Sequence, residues 1–181
     1  MEPVADLRER NLGIGFDAVL DHDGDGVVTA ADFERFGADF CDEIGVPDGP
    51  KADALRAAFR SWWEQLSAVC DQDGDGRITR QEWVTAYLSD PEAYSRDFSR
   101  IAELTAEAAD IDGDGFIEQA EYVRMFQRNA GLGDQVFLAA FQRLDQDGDG
   151  RISTQEFQAA CAQFFLSHDS ADPGTGMLGL A

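Results

Sequence analysis

Asp145-Gln146-Asp147-Gly148-Asp149-Gly150-Arg151-Ile152-Ser153-Thr154-Gln155-Glu156 is the stretch on which the reading of this chain turns. Asp145, Asp147 and Asp149 alternate, so three carboxylates can converge on one point. Gly150 tolerates the sharp turn with φ > 0 that convergence requires. Arg151 offers its backbone carbonyl, Ser153 a hydroxyl and Glu156 a closing carboxylate. Oxygen donors at positions one, three, five, seven, nine and twelve suit a hard divalent cation. The same hexad, Asp-x-Asp-Gly-Asp-Gly, starts at Asp21, Asp71 and Asp110, and each copy closes on an acid: Asp32, Glu82 and Glu121.

The twelve-residue spacing is that of an EF-hand calcium loop. The donors of the other three copies are Asp21, Asp23, Asp25, Val27, Thr29 and Asp32; then Asp71, Asp73, Asp75, Arg77, Thr79 and Glu82; then Asp110, Asp112, Asp114, Phe116, Glu118 and Glu121. Position seven contributes its carbonyl, which leaves its side chain free. Position eight is apolar throughout, as Val28, Ile78, Ile117 and Ile152, and is expected to pair two loops through a short β-bridge. Position two, occupied by His22 in the first loop, is expected to face solvent. Three loops are complete. The first ends on Asp32, one methylene shorter than glutamate, so this site is expected to bind Ca²⁺ most weakly and to tolerate Mg²⁺ best. Three to four Ca²⁺ ions are expected, with Mg²⁺ a candidate at the first site. The third loop carries the most acid, with Glu118 at position nine.

Working outward, each loop is flanked by helical periodicity. Leu12, Phe16, Val19 and Leu20 precede the first; Leu55, Phe59, Trp62 and Leu66 the second; Ile101, Leu104 and Ala108 the third; Phe137, Ala140, Phe141 and Leu144 the fourth. Gly13 and Gly15 weaken the first helix, which is expected to start late or bend. Breaker clusters fall between the repeats at 45–50, 89–91 and 130–133. The expected fold is all-α: four EF-hands in two paired lobes packed into one compact domain, with short β-bridges between paired loops. Hands one and two occupy 1–90 and hands three and four occupy 91–168. A tail over 169–181 is expected to pack on the core.

Composition narrows the function. The 181 residues carry 36 acids against 14 Lys and Arg, a formal charge of −22. That balance excludes nucleic acid as a partner, since phosphate binding needs a basic face. The acids cluster at ligand spacing, so metal is expected to stabilise a chain that repels itself without it. The start lacks an apolar signal region and no run reaches membrane-spanning length. Cys41, Cys70 and Cys161 lack metal or redox spacing and read as reduced thiols, so a cytoplasmic monomer is expected. No Ser/His/Asp order, Cys/His pair or phosphate loop stands out, and the paired acids are assigned to metal; an enzyme is not expected.

The chain resembles the sarcoplasmic calcium-binding proteins, especially the bacterial calerythrin-like branch. The resemblance rests on the long first interval with Phe59, Trp62 and Trp63, the short central linker Ser89-Asp90-Pro91, and the tail from Phe164 to Leu180. It implies a compact cytosolic protein that binds Ca²⁺ and Mg²⁺ with its tail folded back. One hand of such proteins, often the second, has lost its ligands; here the second is complete and the first is altered. Scarce methionine (3) and abundant phenylalanine (13) favour a fixed core, hence a calcium buffer or transporter. The alternatives are a sensor whose tail, with Met177, Leu178 and Leu180, acts as a latch, and a luciferin-binding photoprotein relative using His168 and the tryptophans.

Overall fold

The computed structural model describes residues 4–46, 48–90, 101–126 and 133–179, and among these eight α-helices flank four acidic loops in pairs. The helices are α1 (Val4–Gly15), α2 (Ala30–Ile44), α3 (Pro50–Cys70), α4 (Arg80–Ser89), α5 (101–109 in its described part), α6 (Gln119–Phe126), α7 (Asp134–Leu144) and α8 (Thr154–Leu166). Between α1 and the first loop the chain forms a π turn, Phe16–Leu20, closed by Asp21 N–H donating to the Phe16 carbonyl at 2.9 Å. The expected irregularity of the first helix is therefore a change of helical register. Gly15 is required there for space, since a Cβ would meet the Phe165 ring at 2.8 Å.

Two antiparallel bridges pair the loops. β1 (Val27–Val28) meets β2 (Ile78–Thr79), with Val28 opposite Ile78. β3 (Phe116–Glu118) meets β4 (Arg151–Ser153), with Ile117 opposite Ile152. All four position-eight side chains are buried, so each bridge is pinned by apolar contact as well as by hydrogen bonds.

The two pairs share one core. α1 packs on α4 within the first pair and on α8 of the second; α2 packs on α3 and on α6. Polar ties cross the same boundary: Asn11 Nδ2 donates to the Phe164 carbonyl at 2.9 Å, and Lys51 Nζ to the Asp110 carbonyl at 3.3 Å. The helix stripes are core, as the periodicity requires: Phe33, Phe59, Trp62, Trp83, Tyr122, Phe137, Phe157 and Phe164 are buried. Cys41 and Cys70 are buried thiols and Cys161 is half-buried.

The tail turns back after α8. A 3₁₀ turn, Pro173–Gly176, lies against α7 and α8. Gly174 N–H donates to Gln163 Oε1 at 2.8 Å, and Arg143 reaches the Ser170 and Asp172 carbonyls. A Cβ on Gly174 would collide with the Ala160 backbone, so only glycine lets the tail approach this closely. Met177 and Leu178 are buried, and Tyr122 Oη donates to the Met177 carbonyl at 2.5 Å. Leu180 lies outside the described residues.

Candidate metal centres

Each loop is held in shape by its own acids. In the first, Asp21 Oδ1 accepts from Gly24 N–H at 2.9 Å and Asp21 Oδ2 from Gly26 N–H at 2.9 Å. Asp71, Asp110 and Asp145 repeat the arrangement. The position-five carboxylates of Asp25, Asp75, Asp114 and Asp149 accept from the position-seven N–H. Position six has φ of 89°, 79°, 90° and 87° at Gly26, Gly76, Gly115 and Gly150, the left-handed region that glycine occupies without strain.

Among the described residues carboxylates converge in all four loops, with a second group, Asp112, Asp114 and Glu118, in the third. Oxygens of Asp71, Asp73 and Glu82 lie within 4.8 Å of one another, as do those of Asp110, Asp112 and Glu121, and those of Asp145, Asp147 and Glu156. In the first loop the group is Asp21, Asp23 and Asp25, without Asp32. These are hard oxygen donors, and such mutual approach of like charges is what a divalent cation offsets. The residues therefore fit the metal that the motif implies.

The closing residues explain the first loop's difference. Glu82, Glu121 and Glu156 each use one oxygen to accept from the position-nine N–H, at 2.9, 3.0 and 2.8 Å. Their other oxygen reaches back to the position-two N–H of Gln72, Ile111 and Gln146, at 3.2, 2.8 and 3.1 Å. Asp32 makes only the near half: Oδ2 accepts from Thr29 N–H at 2.8 Å and from Thr29 Oγ1 at 2.7 Å. Its Oδ1 is buried without a hydrogen-bond partner, in a residue only 2% exposed. A buried carboxylate oxygen left unmatched is costly unless a cation or water meets it.

Protonation separates the loops further. Hydrogen bonds from Thr79 hold the Glu82 carboxyl below the usual range. Glu118 is pushed up to about 7, first by sharing a hydrogen bond with Glu121, then by burial and the surrounding acids. A cation bound at the third loop therefore competes with a proton on its extra acid.

Two sequence expectations need correction. His22 does not face solvent: its side chain is 6% exposed, with Nε2 2.9 Å from Asp39 Oδ2 and its ring beside Phe36. Because the π turn before loop one carries extra residues per turn, it changes which face of the chain is presented there. Position-seven side chains are also not uniformly free. Arg77 is exposed, but Arg151 is engaged by Phe116, Asp114 and Asp149.

The structure also holds a half-open cavity of about 470 Å³ between the two pairs that the sequence did not announce. Phe36, Phe59, Trp62, Met125, Phe157 and Met177 line it, and Asp21 to Gly24 of loop one form part of its wall. His168 is exposed and does not line it.

Four helix–loop–helix units, bridged in pairs around one core, define a four-EF-hand calcium-binding protein. Comparison with known proteins agrees. The EF-hand domain pair model matches residues 98–171, and the EF hand model matches 18–37 and 69–86. A Streptomyces coelicolor calcium-binding protein, described in terms of prokaryotic calcium-mediated regulation, is 30% identical with a TM-score of 0.75, covering 87% of this chain and 97% of that one. The amphioxus sarcoplasmic calcium-binding protein shares the fold at 16% identity and TM-score 0.73, covering 97% and 98%. The coelenterazine-binding protein of Renilla muelleri does so at 20% identity and TM-score 0.73, covering 99% and 98%. A probable calcium-binding protein of Oryza sativa subsp. japonica is 37% identical over 97 residues, 51% of this chain and 53% of that protein, so the chain spans about half the length of that relative. The chain belongs to the EF-hand calcium-binding proteins and has the fold of their sarcoplasmic branch. Among the described residues no helix is long and apolar enough to cross a membrane.

Proposed function

We propose that the chain is an intracellular calcium store, a monomeric cytoplasmic buffer or transporter that takes up three to four Ca²⁺ ions at the loop residues named above. Loops two, three and four are the complete sites. Loop one, closed by Asp32, is the weak Ca²⁺ site and the most tolerant of Mg²⁺, whose smaller, tighter coordination shell asks less of the twelfth position. The observation that carries the store reading is the tail. Met177 and Leu178 are buried, and the Tyr122 and Gln163 hydrogen bonds tie their segment down. A sensor must expose apolar surface on binding calcium; here the surface of hands three and four is already covered from within the chain. Calorimetric titration with Ca²⁺, alone and in millimolar Mg²⁺, tests the reading. Three tight sites and a fourth that Mg²⁺ suppresses are expected. Four equal sites indifferent to Mg²⁺ would refute the assignment of loop one.

A second reading, carriage of a small apolar molecule, is favoured by the central cavity alone. Its volume suits a drug-sized ligand and its lining is largely aromatic and aliphatic. Trp62 in the wall provides the readout: stoichiometric quenching by coelenterazine supports it, and no change in Trp fluorescence removes it.

A further inference from the structure

The antiparallel β3–β4 bridge sets Phe116 opposite Ser153 and Glu118 opposite Arg151, so the position-seven residues of loops three and four, Phe116 and Arg151, are diagonal neighbours across it. The guanidinium carbon of Arg151 lies 3.8 Å from the Phe116 ring centroid. One terminal nitrogen is 3.5 Å from Asp114 Oδ2 and the other 3.3 Å from Asp149 Oδ2. Asp114 and Asp149 are the position-five acids of the two loops, so a single cation spans a candidate ligand of each site. The first pair holds the same residue in the same place, at Arg77 of loop two. There the diagonal position seven is Val27, which has no ring to hold a guanidinium, and Arg77 stands exposed with no ion pair among the described residues.

We infer that Arg151 is an electrostatic coupler that sets the calcium affinity of sites three and four together; this rests on the calcium reading of those loops. A planar guanidinium stacked on an aromatic face loses much of its freedom, so its charge stays between the two sites. That charge relieves repulsion among the acids before metal arrives and repels a divalent ion entering either loop. Both effects weaken binding. A fixed unit charge near a divalent ion, in a water-like dielectric at low salt, changes affinity about three- to tenfold. The candidate ligand at position seven is the Arg151 carbonyl, which a side-chain substitution leaves in place.

The test is Arg151→Gln in the full chain, titrated with Ca²⁺ while the position-six amides of Gly115 and Gly150 are followed by NMR as reporters of their own loops. Both affinities are expected to rise about three- to tenfold at low salt, and the gain to shrink in 0.5 M KCl. Arg151→Lys, which keeps the charge, is expected to stay much closer to wild type. Phe116→Leu, which frees the guanidinium, is expected to move both sites in the same direction by less. Arg60→Gln makes the same change of net charge on the exposed face of α3 and is expected to leave both sites alone. Unchanged or weaker binding by Arg151→Gln at low salt would overturn the inference. A gain equally large at high salt would also overturn it, because it would mark a structural effect. Failure of the wild-type chain to bind calcium at these loops would remove the calcium reading and the coupling with it.

Discussion

Asp32→Glu is the substitution that most sharply probes how loop one differs from the rest. The three glutamates bridge the position-nine and position-two N–H groups, whereas Asp32 satisfies only Thr29 and leaves Oδ1 buried and unmatched. One added methylene extends reach by about 1.5 Å, a C–C bond length, toward the position-two N–H that the three glutamates meet. A hydrogen bond to a charged group contributes about 1.5–3 kcal/mol. Crowding in a site only 2% exposed offsets part of this, since an added methylene in a packed site costs about 1 kcal/mol or more. The same added reach lets the second oxygen meet the cation, a charge-assisted contact of similar order, so the net gain is about 0.5–2 kcal/mol, or roughly two- to thirtyfold in Ca²⁺ affinity at site one. Calorimetry resolves a change of that size, and Mg²⁺ competition at the site should weaken in parallel. An unchanged weakest site, or a loss of affinity, would show that the twelfth residue is not what limits loop one.

Other outcomes follow from the tail, the acids and the metal. Removal of residues 173–181 takes away two buried apolar side chains, each worth about 1.5–3 kcal/mol, and should destabilise the chain by about 3–6 kcal/mol in urea unfolding. Gly174→Ala should act in the same direction by forcing the tail off Ala160, and wild-type stability in either variant would show that the tail is only resting on the surface. Glu118, with its carboxyl raised from 4.5 to about 7, favours the protonated folded state. Its stabilisation of the metal-free protein is full below about pH 4.5 and lost as pH rises through 7. Calcium binding at about pH 6.5 should therefore release a proton that is absent at about pH 8 and in Glu118→Gln, measured by calorimetry in buffers of different ionisation enthalpy. Chelation should lower the melting temperature, since each site filled at a hundredfold excess over Kd adds about 2.7 kcal/mol. The drop should be larger at low salt, where the formal charge of −22 is least screened.

The loops and their pairing were legible because the chemistry is local. Three alternating aspartates, a glycine at position six and an apolar position eight define the turn, and Val28–Ile78 and Ile117–Ile152 pair as that pattern requires. The shorter reach of Asp32, which meets Thr29 alone, was legible for the same reason. His22 was not, because its direction depends on the π turn at Phe16–Leu20, and the Gly13–Gly15 weakness suggests only that some irregularity occurs. The tie from Arg151 to Asp114 was not legible either, since it joins residues 37 apart and needs the bridge register first. A sequence signal did exist: an aromatic and an arginine share position seven in loops destined to pair. The central cavity is a property of how two pairs pack, and no local pattern encodes it.

Amide hydrogen exchange over residues 173–179, with and without Ca²⁺, tests the store reading most directly. The amides of Gly174, Thr175, Met177 and Gly179 all donate hydrogen bonds in the folded tail. Their protection should hold or increase when calcium binds. Loss of that protection on calcium binding would mean that the tail is released, and that the chain is a switch and not a store.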